Sequence, residues 1–165
     1  MSVSLTVFAS LLVGCEDSGS PSDDDSFPTL TPYYAADYMT TYTEVADCRN
    51  SEHGGFMRIH IFPTSAAVYY LDRAAREDQL MPVGTILVKS EYLRPDCLGE
   101  PTRTTVMRKA AAGSYPATND WEWQEFDFAN QVEQEGPALN DCIVCHDGTL
   151  NTDCGVEWDY TCLIP

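Results

Sequence analysis

The residues with the most specific chemistry form the segment Cys142-Ile143-Val144-Cys145-His146. Two thiols three positions apart can add to the two vinyl groups of a haem, and a histidine directly after them can reach the iron from the same side. The segment therefore predicts one covalently bound haem c, attached through Cys142 and Cys145, with His146 as the axial iron ligand.

Three other kinds of site use similar residues. Cys142 and Cys145 could form a disulfide beside a surface His146. With Cys154 they could instead build a Cys3His zinc site, although the usual second close pair of ligands is absent. A thioredoxin-type redox pair requires a preceding strand in a βαβ unit, which the sequence does not indicate. We favour haem over these alternatives.

The N-terminal segment predicts export. Residues 5–13 are apolar except for Ser10, about the length of a signal-peptide core and too short to span a bilayer. They lead into Leu12-Val13-Gly14-Cys15, which resembles a bacterial lipobox with Cys15 as the lipidated residue. Residues 1–4 lack the basic residues of a usual signal peptide.

The domain organisation follows from these boundaries. We predict a signal peptide over residues 1–15, an acidic Ser/Asp/Pro linker over 16–32 and one folded domain over 33–165. The expected location is the bacterial cell envelope, on the periplasmic or surface side, with a lipid anchor at Cys15.

The remaining cysteines agree with an oxidising compartment. Of seven cysteines, Cys15 is assigned to lipid and the motif takes two, which leaves Cys48, Cys97, Cys154 and Cys162. Four cysteines allow three pairings, and we favour Cys48 with Cys97 and Cys154 with Cys162.

The charge of the chain restricts its partners. A formal net charge of −17 repels phosphate backbones and anionic lipid headgroups, so we expect no nucleic-acid partner and membrane contact only through the lipid anchor. The same charge can steer a cationic redox protein towards the domain. The sequence does not determine the oligomeric state.

Hydrophobic periodicity indicates an α+β domain with a mainly antiparallel sheet and a few flanking helices. Trp121 and Trp123 have the opposite parity to Phe126 and Phe128, so we expect a bulge near Gln124. We predict helices over residues 33–47 and 64–78, and strands over residues 56–62, 85–92, 102–109 and 121–128.

Beyond its motif the domain resembles the cytochrome P-460 family, whose members carry one c-type haem on a mainly antiparallel sheet. The resemblance covers residues 33–162 and depends on the order of several short pieces. These are Cys48-Arg49-Asn50-Ser51-Glu52-His53-Gly54, Pro82-Val83-Gly84-Thr85-Ile86-Leu87-Val88-Lys89, Thr105-Val106-Met107-Arg108-Lys109, Asp120-Trp121-Glu122-Trp123 and the haem motif.

The resemblance implies roles for several residues. In enzymes of this family a lysine on the strand after the P-x-G-T turn is bonded to the haem edge, and Lys89 occupies that position. Lys89 could equally be an exposed strand lysine or an ion-pair partner of Glu91. Enzymes of this family also use a distal glutamate as a proton relay, but in this chain Gln124 falls near that position. We therefore assign no residue to this role by position and keep three weak distal candidates, Glu91, Glu122 and Glu125.

Three functions remain open at this point. With His146 as the sole protein ligand, the iron would bind or oxidise a small nitrogen compound, hydroxylamine or nitric oxide. With a sixth protein ligand, the chain would be an electron-transfer cytochrome; the candidates are Met57, Met107, His53 and His60. The third possible function is that of a lipoprotein without haem, which is stabilised by disulfides or binds zinc.

Overall fold

The computed structural model of the chain describes residues 30–72, 79–150 and 154–162. Within them, six strands form one sheet: β1 (Thr43–Asn50), β2 (Phe56–Phe62), β3 (Ile86–Tyr92), β4 (Arg103–Lys109), β5 (Trp121–Phe126) and β6 (Val132–Gly136). The helices are α1 (Tyr38–Thr41), α2 (Thr64–Leu71) and α3 (Asn140–His146), and a short hairpin joins β7 (Cys154–Gly155) to β8 (Thr161–Cys162).

The large sheet is an antiparallel meander in which each strand pairs with the next in sequence. Its centre is regular: Leu87 on β3 lies opposite Met107 on β4, and Met107 lies opposite Trp123 on β5. This architecture confirms the predicted α+β class with a mainly antiparallel sheet.

Both faces of the sheet are covered. The face that carries Leu87, Met107 and Trp123, here called the motif face, packs against α2 and the chain around α3. The opposite face carries Val88 and Val106 and packs against a group of tyrosines; we call it the tyrosine face. Because successive strand residues point to opposite faces, each strand supplies one set of side chains to each layer.

The helix predicted over residues 33–47, whose tyrosines pack on the tyrosine face, is wrong over most of its length. Only Tyr38–Thr41 is helical, and β1 begins at Thr43. The aromatic and β-branched residues of this segment favour extended structure, and pairing with β2 overrides the near-helical spacing of Tyr34, Tyr38 and Tyr42. Those tyrosines still pack together, with ring centroids 4.9 and 6.3 Å apart along the series.

The other predicted elements are largely present. The four predicted strands match β2, β3, β4 and β5 to within two residues. Helix α2 ends at Leu71, and residues 73–78 of its predicted span lie outside the described residues. Two strands of the large sheet were not predicted, β1 and β6. The first part of β1 falls within residues 33–47, which were predicted as a helix.

A bulge was predicted near Gln124 to explain a change of phase in β5, and that explanation is wrong. Trp123 lies on the motif face and Phe126 on the tyrosine face, so both parities of β5 are buried and no change of phase is needed. The pairing of β5 with β4 is regular, and the observed irregularity lies between Glu125 and Phe126 in the pairing with β6.

Both favoured disulfides are present, Cys48–Cys97 and Cys154–Cys162. The first ties β1 to the loop after β3, and the second closes the β7–β8 hairpin. Residues 1–29, with the predicted signal peptide and Cys15, lie outside the described residues. At the end of the predicted linker, Thr31 accepts a hydrogen bond from Gln124 Nε2 at 2.8 Å. Among the described helices, none is long and apolar enough to cross a membrane.

The core of the tyrosine face can be tested at Val106, which is fully buried. We expect Val106→Ala to lower the free energy of unfolding by about 2 kcal/mol, because two methyl groups leave a closely packed layer. Val68→Ala is the control, since Val68 lies on α2 and is 66% exposed. Denaturant unfolding of both variants checks the prediction, and equal effects would contradict this assignment of the core.

Candidate haem-attachment site

The Cys-x-x-Cys-His segment forms most of the helix α3, which ends at His146. Cys142 and Cys145 are therefore one turn apart and project from neighbouring positions on the helix surface. Leu139, Cys142 and Ile143 pack against the core on the motif face. The sheet thus holds the helix by its apolar side.

The two motif cysteines are free and half-buried, whereas the other described cysteines are all in disulfides. This excludes Cys154 from the proposed Cys3His zinc site, because Cys154 is bonded to Cys162. Burial, together with Asp141 and Cys145, raises the pKa of Cys142 to about 11 despite the opposing charge of Arg103. A neutral thiol is a poor zinc ligand, since the thiolate is the binding form.

The imidazole of His146 is oriented by the backbone of the C-terminal hairpin. Its Nδ1 lies 2.7 Å from the carbonyl oxygen of Tyr160. Because a carbonyl oxygen only accepts, Nδ1 must carry the proton, and the lone pair is on Nε2. This is the arrangement found in metal-binding histidines, which donate their other N–H to a carbonyl or carboxylate.

The electrostatics around His146 favour a neutral ring. Burial lowers its pKa most strongly, and the charges of Lys89 and His53 lower it further, against the hydrogen bond to Tyr160 and the charge of Glu52. The ring also lies beside Trp123, with centroids 6.3 Å apart. A histidine must be neutral to bind iron, so this environment suits an axial ligand.

A polar cluster occupies the same face at the far end of β3. The Glu91 carboxylate, nearly buried, contacts Ser51 Oγ at 2.7 Å, His53 Nδ1 at 2.9 Å and Lys89 Nζ at 3.2 Å. Lys89 Nζ also lies 3.5 Å from Glu52. Burial raises the pKa of Glu91, but these partners outweigh it and hold the value at about 2. Glu91 is therefore an anion at neutral pH, and Lys89 is its ion-pair partner.

The three glutamates proposed as distal candidates lie in different places. Glu91 and Glu125 are on the motif face, and Glu125 forms an ion pair with Arg103. Glu122 is on the tyrosine face, where it pairs with Arg108 at 2.8 Å and accepts from the Tyr33 hydroxyl at 3.1 Å. The structure therefore does not bring Glu122 together with the motif.

Gln124, the residue near the family's distal glutamate position, is also on the tyrosine face. It is fully buried, and its amide bonds to the backbone of residues 31 and 33 and to Glu135. These bonds fasten the N-terminal segment to the sheet, which is a structural role.

The four candidate sixth ligands of the iron also lie on different faces of the sheet. His60 lies on the tyrosine face, in edge-to-face contact with Tyr38 at 5.5 Å, and so on the opposite side of the sheet from His146. Met107 and Met57 are buried residues of the motif face. His53 belongs to the polar cluster and affects the pKa of His146.

Several site residues were missed by the sequence analysis. The Tyr160 carbonyl gives no sequence signal, because any residue supplies a backbone oxygen. Trp123 was predicted on a strand without a role. Its Nε1 is buried and has no hydrogen-bond partner among the described residues.

The residues present fit a covalently bound haem. Two free thiols lie one turn apart, the imidazole presents Nε2 for a metal, and an indole N–H beside that imidazole has no acceptor among the described residues. An unsatisfied buried donor is uncommon, and a polar group of a bound cofactor is one way to satisfy it.

Comparison with known proteins agrees with this chemistry. The family model Cytochrome P460 matches residues 35–154, which include Cys142, Cys145 and His146. No curated protein matches the chain. The family match extends over most of the 165 residues and over every strand of the large sheet. The chain therefore belongs to the cytochrome P460 family of haem cytochromes.

Proposed function

We propose that this protein is an exported cytochrome with one haem c, bonded to Cys142 and Cys145, that binds or oxidises hydroxylamine or nitric oxide. The observation that carries the proposal is the 2.7 Å contact between His146 Nδ1 and the Tyr160 carbonyl, which leaves Nε2 for iron, while burial lowers the pKa of the ring. When bound, a haem with one protein ligand supplies an open iron position and accepts electrons from the substrate.

Residues of the chain would bind the iron and accept protons from the substrate. His146 would hold the iron, with its ring fixed by the Tyr160 carbonyl. Glu125, the other carboxylate among the distal candidates on the motif face, would accept protons from the substrate, because the low pKa of Glu91 makes that carboxylate a weak base. Arg103, paired with Glu125, would orient that carboxylate.

Lys89 is proposed to bond to the haem edge, as in enzymes of this family. Its ion pair with Glu91 places the amine on the motif face with 20% of the side chain exposed. An N–C bond would replace one N–H and one C–H bond. Two protons and two electrons must then leave, so the step requires an external oxidant such as a peroxide. The amine must first lose its ammonium proton, because only its lone pair can form the bond.

A second candidate is a six-coordinate electron-transfer cytochrome with His53 as the additional ligand. One observation favours it: His53 Nδ1 is bonded to the Glu91 carboxylate at 2.9 Å, which leaves Nε2 for a metal. Carboxylate-bonded histidines are common metal ligands. The two candidates differ in the number of iron ligands and can be separated spectroscopically.

The location and the partner of the protein are part of the proposal. Two disulfides support an oxidising compartment, and Cys15 would anchor the domain to a membrane of the bacterial envelope. A net charge of −17 would favour a cationic redox protein as electron acceptor.

The haem proposal is tested by co-expression with a haem-attachment system, followed by mass spectrometry of the denatured protein. We expect one haem per chain in the wild type, and none in the double variant Cys142→Ala/Cys145→Ala, which has no thiol to bond. His146→Ala should keep the covalent haem but lose the native spectrum. A colourless wild-type protein would leave only the haem-free lipoprotein.

The role of Lys89 is tested by the absorption spectrum of the reduced protein. A bond to the haem should give the wild type a broad, red-shifted band, which Lys89→Arg should lose. Glu52→Gln is the control, because it removes only the longer ion pair of Lys89. An ordinary five-coordinate spectrum in the wild type would favour a gas-binding protein. A sharp six-coordinate spectrum that His53→Ala abolishes would favour electron transfer.

The ionised state of Glu91 makes a separate prediction about acid stability. Its pKa falls from 4.5 to about 2 on folding, so its stabilising effect is present above pH 4.5 and is lost as the pH falls through about 2. The shift corresponds to about 3 kcal/mol. Glu91→Gln should therefore destabilise the protein at neutral pH and flatten the acid limb of its stability curve.

Denaturant unfolding between pH 2 and 7 measures this effect. Glu52→Gln is again the matched control, because Glu52 pairs with the same lysine but is 61% exposed. An exposed ion pair contributes about 0.5 kcal/mol or less. Equal pH profiles for Glu91→Gln and the wild type would show that the cluster does not stabilise the ionised carboxyl.

A further inference from the structure

The carbonyl that holds His146 belongs to an unusual backbone segment. Asp159 and Tyr160 are consecutive residues in the left-handed region, with φ of 54° and 59°. Residues with a Cβ seldom adopt this conformation, and two in succession are costly. Such strain persists only where the surrounding structure fixes it, and it is concentrated at functional sites.

The segment is fixed by an ion pair in the protein interior. Lys109 Nζ on β4 lies 2.8 and 2.7 Å from the two carboxylate oxygens of Asp159, and both side chains are almost fully buried. Asp159 Oδ2 also accepts from the Met81 amide at 2.6 Å, and the Asp159 carbonyl accepts from Trp121 Nε1 at 2.6 Å. Every polar group of Asp159 therefore has a partner.

Lys109 holds a second strained turn in the same way. Its Nζ donates to the carbonyl of Asn119 at 2.5 Å, and Asn119 and Asp120 are also left-handed, with φ of 48° and 65°. One buried ammonium thus joins the loop before β5 to the C-terminal hairpin. Tyr160 is held on both sides, since its amide donates to Gly155 at 2.8 Å and its hydroxyl to Ala117 at 2.9 Å.

Stability alone is a weak reason for this arrangement. Burying two charges costs desolvation, and well-packed apolar residues often stabilise a core as well or better. What the ion pair provides is a fixed direction for the Tyr160 carbonyl, which lies 2.7 Å from His146 Nδ1. Asp159 and Tyr160 follow the region matched by the family model, which ends at residue 154.

We propose that Lys109 and Asp159 are positioning residues for the axial ligand: they aim the Tyr160 carbonyl at His146 and thereby set the reduction potential of the haem. The inference rests on the proposed binding of iron by His146. A strong acceptor at Nδ1 makes the imidazole a more basic ligand, which favours ferric iron. A less firmly held carbonyl would weaken this effect, so the reduction potential would rise and the bond from His146 to iron would weaken.

The test uses the full-length holoprotein with covalent haem and two separate variants. Asp159→Asn removes the charge but keeps a residue that tolerates the left-handed region. Lys109→Met removes the other partner and has a similar length. We expect both to raise the reduction potential by about 59 mV, a tenfold change in the one-electron equilibrium. Both should also lower the iron–histidine stretching frequency of the ferrous protein.

Val106→Ala is the matched control, because it truncates a buried residue on the tyrosine face, away from His146. We expect it to destabilise the protein without changing the potential or the stretching frequency. Two results would overturn the inference: unchanged values in Asp159→Asn and Lys109→Met, or equal shifts in Val106→Ala. If Asp159→Asn does not accumulate as holoprotein, Lys109→Met alone decides between these outcomes.

The two proposals fail in different ways. A wild-type holoprotein with an iron–histidine band that neither variant moves would remove the positioning role and leave the haem site intact. A wild-type protein without covalent haem, or without that band, would overturn both.

Discussion

The alternation of side chains along β3, β4 and β5 is the constraint on which this structure depends. Since each strand contributes to two layers, a residue's parity decides whether it meets the haem motif or the tyrosines. Lys89, Glu125 and Trp123 fall on one side, while Arg108 and Glu122 fall on the other, where His60 of β2 also lies. A slip of one residue in any central strand would exchange these sets.

Within the motif face, a shared environment produces different ionisation states. Cys142 and His146 have few compensating partners and remain neutral, because desolvation disfavours their charged forms. Glu91 is also buried, yet three donors keep it ionised. The number of hydrogen-bond donors around each group, more than its depth, therefore determines which residues can act as ligands and which as counter-ions.

Much of this arrangement was predictable, and the exceptions have physical causes. The strand periodicity predicted β2 to β5, and the favoured pairing of the four remaining cysteines is the one observed. The helix over residues 33–47 was wrong because tertiary pairing overrode local spacing. The Tyr160 carbonyl beside His146, and Ser51 and His53 beside Glu91, could not be predicted, since these partners are distant in sequence. The burial of Lys109 could not be predicted either, because it depends on Asp159, fifty residues later.

The raised pKa of Cys142 has a consequence for the reactivity of its thiol. With a value of about 11, only about one thiol in ten thousand is ionised at pH 7. Thiolates are the species that attack disulfides, so this cysteine exchanges slowly with oxidants and with the neighbouring hairpin bridge. While it is free, the Cys142 thiol is therefore protected kinetically against oxidation by its own burial.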